Sequence, residues 1–191
     1  MTIEFLVDDG TPRAVERRAR LAGRATVQEH LEQHLLGRVD VVALFYDHRS
    51  GEAADYIAVG AGQQREVEIA LYHCKGAGGP PSGGRVGDVY EVAGQLVKSV
   101  FYCDANILLA HMEDRMNVRY AAPSRFLRGN FDMLRQLIED TDATKLSFAV
   151  IGVQPGIRRS LVNEHLVDLM VFGIDYARQG GASNAYWLVS E

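Results

Sequence analysis

The residues best spaced to do chemistry in this chain are an aspartate ahead of one apolar run and a histidine and a lysine that close the next. Asp55 sits in Ala54-Asp55-Tyr56-Ile57, and His73 and Lys75 end the run Glu66-Val67-Glu68-Ile69-Ala70-Leu71-Tyr72-His73-Cys74-Lys75. Side chains alternate across a strand, so His73 and Lys75 share one face while Tyr72 and Cys74 take the other. If the strand of Asp55 pairs beside them, a carboxylate, an imidazole and an ammonium converge. Asp55 and His73 are then candidate ligands of a divalent ion, with the carbonyl of Cys74 as a third. Lys75 would orient a water or stabilise charge on a phosphorane-like transition state. Such a layout suits metal-assisted phosphodiester hydrolysis. Magnesium prefers oxygen ligands and manganese tolerates imidazole better, so the expected cofactor is Mg2+ or Mn2+.

The elements that must position these groups are legible from pattern. Val39 to Tyr46, Ala54 to Val59 and Glu66 to Lys75 read as strands joined by short turns, which predicts an antiparallel meander. A Gly/Pro loop from Gly76 to Gly84 follows, then a helix from Val86 to Phe101. On that helix Glu91, Gln95 and Lys98 fall at spacings of four and three and form one polar stripe. Upstream, Pro12 to Leu36 reads as helical with a break near Gly23, and Ala25-Thr26 would cap a second helix from Val27. Downstream, Ala105 to Asn117 and Phe131 to Asp140 read as helices and Lys145 to Val153 as an apolar strand. Gln154-Pro155-Gly156-Ile157 is expected to be a turn. Ser160 or Asn163 then opens a helix through Arg178, and Ala185 to Val189 is a last strand. The sum predicts an α/β fold of two or three layers around a mixed sheet.

A chain of 191 residues suits one domain. Its apolar fraction of 47% and charged fraction of 24% are those of a globular protein, and no apolar run is long enough to span a membrane. The acidic N-terminus lacks a signal-peptide core, so a soluble, cytoplasmic protein without membrane contact is expected. Cys74 and Cys103 make neither a disulfide framework nor a zinc motif. A net charge of −5 argues against coating nucleic acid non-specifically but leaves room for local basic surface. Arginines bunch at positions 13, 17, 18, 20 and 24 and again at Arg115, Arg119, Arg125 and Arg128, as solvated helix faces also do. His30 and His34 flank Glu32 in an order that is not His-Glu-X-X-His, and read as surface histidines.

Asp55, the ending His73-Cys74-Lys75 and the order helix, meander, helix, strand resemble the PD-(D/E)XK nuclease superfamily, the fold of many restriction endonucleases and their Mrr-like relatives. Tyr72 to Lys75 and Asp88 to Ser99 also look like the nuclease-like C-terminal regions of some bacterial defence helicases. The resemblance implies a restriction-endonuclease-like core, a mixed central sheet flanked by helices, over about 26–153, with a strand-helix-strand extension over 154–191. It implies a metal-dependent endonuclease acting on DNA, with RNA as the other substrate, in restriction or phage defence. The expected partners are a helicase, either joined to the chain or separate, and a second copy, since double-strand cutting needs two active sites. Asp55 would hold the metal, Lys75 would activate water and Gln95 would position water or phosphate. His73 stands where the family carries Glu, Asp or Gln. Either His73 is itself a ligand or acid/base group, or an acid from elsewhere replaces the missing oxygen, or the domain is a degenerate module that binds nucleic acid or protein. Glu29 is the favoured replacement acid, ahead of Glu32 and Glu91. Glu68 lies on the wrong face by parity unless a bulge intervenes.

Overall fold

The computed structural model describes residues 26–48, 50–62, 65–76, 86–117 and 124–190. The N-terminal arginine group and most of the Gly/Pro loop lie outside these residues. Three apolar runs separated by turn-rich connections become β1 (Val41–Tyr46), β2 (Tyr56–Ala61) and β3 (Val67–Cys74), an antiparallel meander. β5 (Leu146–Arg158) lies parallel to β3, and β6 (Asn184–Ser190) parallel to β5. β4 (Arg125–Arg128) adds antiparallel to β1, giving a six-stranded mixed sheet in the order β4-β1-β2-β3-β5-β6. Four residues with arginine at each end carry no strand period, which is why β4 was not expected from sequence.

The central strands bury both faces, as their near-continuous apolar runs require. Tyr56, Ala58, Ala70, Tyr72 and Ile151 meet Val27, Leu31 and Leu35 of α1 (Val27–Gly37) on one face. Ile57, Ile69, Leu71 and Val150 meet the other helices on the opposite face. These are α2 (Val86–Ser99), α3 (Ala105–Arg115), α4 (Phe131–Glu139) and α5 (Glu164–Gln179). The molecule is thus α/β with helices on both sides of the sheet. None of the described helices is long and apolar enough to cross a membrane.

α1 begins where Thr26 was expected to cap it. Its hydroxyl accepts from the Glu29 N–H at 3.1 Å, and the Glu29 carboxylate accepts from the Thr26 N–H at 2.8 Å. This reciprocal box satisfies two donors that the first turn leaves without intrahelical partners. Asn163 likewise caps α5, accepting from the Leu166 N–H.

Two expectations need correction. Gln154 to Ile157 is not a turn: β5 continues to Arg158, and its pairing with β6 slips between Val153 and Arg158. A bulge there accommodates Pro155, which has no N–H for a regular ladder. The second arginine group is only in part a solvated face, with Arg125 exposed. Arg115 is buried on Asp47, and Arg128 donates to the carbonyls of Leu36, Arg38 and Val41, closing the end of α1 onto β1. Arg119 lies outside the described residues.

α2 crosses the sheet closely because of Gly152. A Cβ there would come 2.7 Å from Val92 Cγ1 and 3.1 Å from the Trp187 ring. Gly152→Ala is therefore expected to lower unfolding free energy by about 1–3 kcal/mol through overpacking. A shift of the urea midpoint at unchanged slope would report it.

Candidate functional site

The register of the meander assembles the site. Tyr56 pairs with Tyr72, the Asp55 N–H donates to the Tyr72 carbonyl at 2.9 Å, and Asp55 therefore stands across from His73. The Cys74 N–H donates to Asp55 Oδ2 at 2.6 Å, holding the carboxylate at the end of β3. Asp55 is 1% exposed. Ile69 and Leu71 face α2, so His73 and Lys75 continue on that face, while Ala70, Tyr72 and Cys74 face α1. Glu68 follows the α1-facing parity, away from His73.

The polar stripe of α2 lies along this end of the sheet. Glu91 takes the Lys75 ammonium at 2.5 Å, and the Lys98 ammonium donates to the Glu52 carbonyl ahead of β2. Gln95 falls between these two tethers, and its Oε1 is buried with no hydrogen-bond partner among the described residues. The structure thus brings Asp55, His73, Lys75 and Gln95 to one end of the β2–β3 pair, under one helix.

His73 is fully buried, and burial holds its pKa down at about 4, against the upward pull of the Asp55 charge. The ring is therefore neutral at ordinary pH. Its Nε2 contacts Ser99 Oγ. The Ser99 hydroxyl also lies within reach of the Gln95 and Ala53 carbonyls. His73 Nδ1 is buried with no hydrogen-bond partner among the described residues.

The structure adds two residues that sequence reasoning did not select. His48 contacts Asp55 Oδ1, and Glu52 lies 3.7 Å from the same His48 nitrogen. One ligand atom from each of His48, Glu52 and Asp55 falls within 4.8 Å of the others. Among the described residues no lysine or arginine pairs with Asp55. Two carboxylates and an imidazole form a donor set that fits a first-row divalent ion. The available signal was the density of polar groups in the turn Asp47 to Glu52, immediately ahead of the key aspartate. Glu29 and Glu32 do not join this group. Both belong to α1, on the opposite face of the sheet; Glu29 closes the helix cap and Glu32 accepts from the Tyr56 hydroxyl at 3.1 Å. Neither is placed as the replacement acid.

A buried carboxylate holds this turn in place. Asp47 is 0% exposed and accepts from the Ala53 N–H, His111 Nε2, Arg115 Nε and the Ser124 hydroxyl, at 2.9, 2.8, 2.5 and 2.6 Å. Arg115 also donates to the carbonyls of Ser50 and Asp47. The turn carrying His48 and Glu52 is thereby fixed to α3 and to the start of β4. Comparison of the chain with protein-family models, with curated proteins and with solved structures finds no match.

Proposed function

We propose that this protein is a metal-dependent endonuclease that hydrolyses DNA phosphodiester bonds, built on a restriction-endonuclease-like core. We place it in restriction or phage defence, working within or beside a helicase. The observation that carries the reading is Asp55 standing across from His73, with Lys75 two residues on, at the end of a meander whose third strand is followed by α2 and a parallel strand.

In this reading Asp55, Glu52 and His48 hold the ion. A divalent ion bound there polarises a phosphoryl oxygen and lowers the pKa of a water. Lys75 donates to a non-bridging oxygen as charge builds in the transition state. Glu91 now takes that ammonium, but Glu91 is exposed, and such surface pairs are worth about 0–1 kcal/mol, so a phosphate displaces it readily. Gln95 Oε1 offers an acceptor that orients the attacking water.

The test is cleavage of supercoiled plasmid by metal-stripped protein, with Mn2+ or Mg2+ added back. Nicked or linear product is expected, abolished by EDTA and reduced about 100-fold in Lys75→Ala. No product with either ion, or a Lys75→Ala variant that cuts like wild type, overturns the reading. A second reading, a degenerate module that binds without cutting, is favoured by His73 itself. Its Nε2 contacts Ser99, and the β3 position itself carries no acid. Plasmid retained by the protein but never cut would select that reading.

A further inference from the structure

We infer that the turn between β1 and β2 and the start of β2 form a nitrogen-containing metal site, His48, Glu52 and Asp55, that selects a transition-metal ion such as Mn2+ over Mg2+. It deepens the nuclease reading and rests on that reading for its purpose, though not for its test. The resemblance would take the ligands from Asp55 and an acid on β3. This chain has histidine at that β3 position, and the second carboxylate and the imidazole come from the preceding turn.

Three observations carry the inference. The first is the convergence of one imidazole nitrogen and two carboxylates within 4.8 Å. The second is Asp55 itself: a carboxylate 1% exposed, receiving one N–H from Cys74 and facing His48, with no lysine or arginine partner among the described residues. Buried carboxylates are ordinarily paired with a cation or coordinate a metal. The third is independent of the cluster. Across the strand pair from Asp55, the fully buried His73 contacts Ser99 through Nε2 and has a buried Nδ1 with no hydrogen-bond partner among the described residues. A ligating histidine characteristically gives its other ring N–H to an oxygen acceptor, a role the Ser99 hydroxyl can fill for His73. His73 lies outside the group of three, at the strand position across from Asp55.

The choice of ion follows from the donors. Mg2+ takes near-octahedral oxygen and gives up its waters reluctantly, so an imidazole contributes little to it. Mn2+ and the later first-row ions accept nitrogen together with carboxylate oxygen. Access is available from the outside, because the side chains of His48 and Glu52 are 30% and 13% exposed.

The experiment is calorimetric titration of the EDTA-stripped full chain with MnCl2 and, separately, MgCl2, with the Mn2+ electron-spin signal as a second readout. One Mn2+ per chain is expected, bound at least about tenfold more tightly than Mg2+. His48→Ala should cost Mn2+ affinity about 10–100-fold and leave Mg2+ affinity nearly unchanged. Asp55→Asn should abolish binding of both. His34→Ala, on the exposed side of α1, should change neither. Circular dichroism and melting curves confirm that each variant folds. Mg2+ binding as tight as Mn2+, Mn2+ affinity unchanged in His48→Ala, or no binding of either ion overturns the inference. Mn2+ binding with the expected variant pattern but no cleavage of DNA leaves the site standing and removes the nuclease reading. Metal-dependent cleavage insensitive to His48 does the reverse.

Discussion

If the protein cuts DNA as proposed, Asp55→Asn is expected to reduce plasmid cleavage by about 1,000-fold or more while the protein stays folded, because in that reading it removes a buried ligand charge at the point where phosphoryl charge develops. Asparagine keeps the shape of the side chain. Its amide oxygen can still accept from the Cys74 N–H, the bond that holds this position at the end of β3. Alanine is the less informative change, since it leaves that N–H without its partner, at a cost of about 1–3 kcal/mol in stability. Single-turnover cleavage rates and melting curves for the two variants separate the effects. Loss of cleavage with a retained melting temperature in Asp55→Asn supports the assigned role. A rate within about threefold of wild type would remove Asp55 from the machinery, since loss of one transition-state contact ordinarily costs more than that.

The largest effect on stability is expected at Asp47. Truncation to alanine strands the Arg115 guanidinium, 7% exposed, beside His111 and the Ser124 hydroxyl. Breaking one side of a buried, hydrogen-bonded ion pair costs about 3–5 kcal/mol, to be read from urea unfolding. Replacing both partners, as in Asp47→Leu with Arg115→Met, should recover part of that loss, since no lone charge then remains buried. Because Asp47 fixes the turn that carries His48 and Glu52, Mn2+ affinity should fall in Asp47→Ala and stay low in the double variant. An unfolding curve for Asp47→Ala that overlays wild type would show that the clamp contributes nothing.

The same residue sets part of the acid response. Burial pushes the Asp47 carboxyl up, but the bonds from His111, Ser124, Arg115 and the Ala53 N–H more than offset it and hold it below the ordinary carboxylate value. Stability from such a group is present above the unfolded value of about 4 and is lost as pH falls through the folded one. His73 acts in the window above. Buried at a pKa of about 4, it refuses a proton that the unfolded imidazole takes up near its ordinary value of about 6.5, so stability already falls as pH drops between these limits. Urea midpoints should decline from pH 7 to 4 in wild type and in Asp47→Ala alike. The further decline below about pH 4 should be weaker in Asp47→Ala.

Strand alternation alone placed His73 and Lys75 on one face and Glu68 on the other, because the side-chain period of a strand is local and regular. The Thr26 cap and the polar stripe Glu91, Gln95 and Lys98 were legible for the same reason, since each depends on residues within a few positions of one another, and the meander was legible from the short turns between its strands. Asp55 stood out as an acid in the expected strand Ala54 to Val59; that strand begins at Tyr56, and the Asp55 N–H still bonds the Tyr72 carbonyl and carries the register back to it. What the tertiary structure decided were the contacts that no local period encodes. It folded His48 and Glu52 back onto Asp55 and committed His73 Nε2 to a serine 26 residues away. It turned Arg115 inward onto a carboxylate 68 residues earlier and used Glu29 to close a helix on the far face of the sheet. Spacing tells which way a side chain points from its own element. Which partner waits there depends on how the elements pack, and burial decides whether a charge met there is paired, neutral or free to take a ligand.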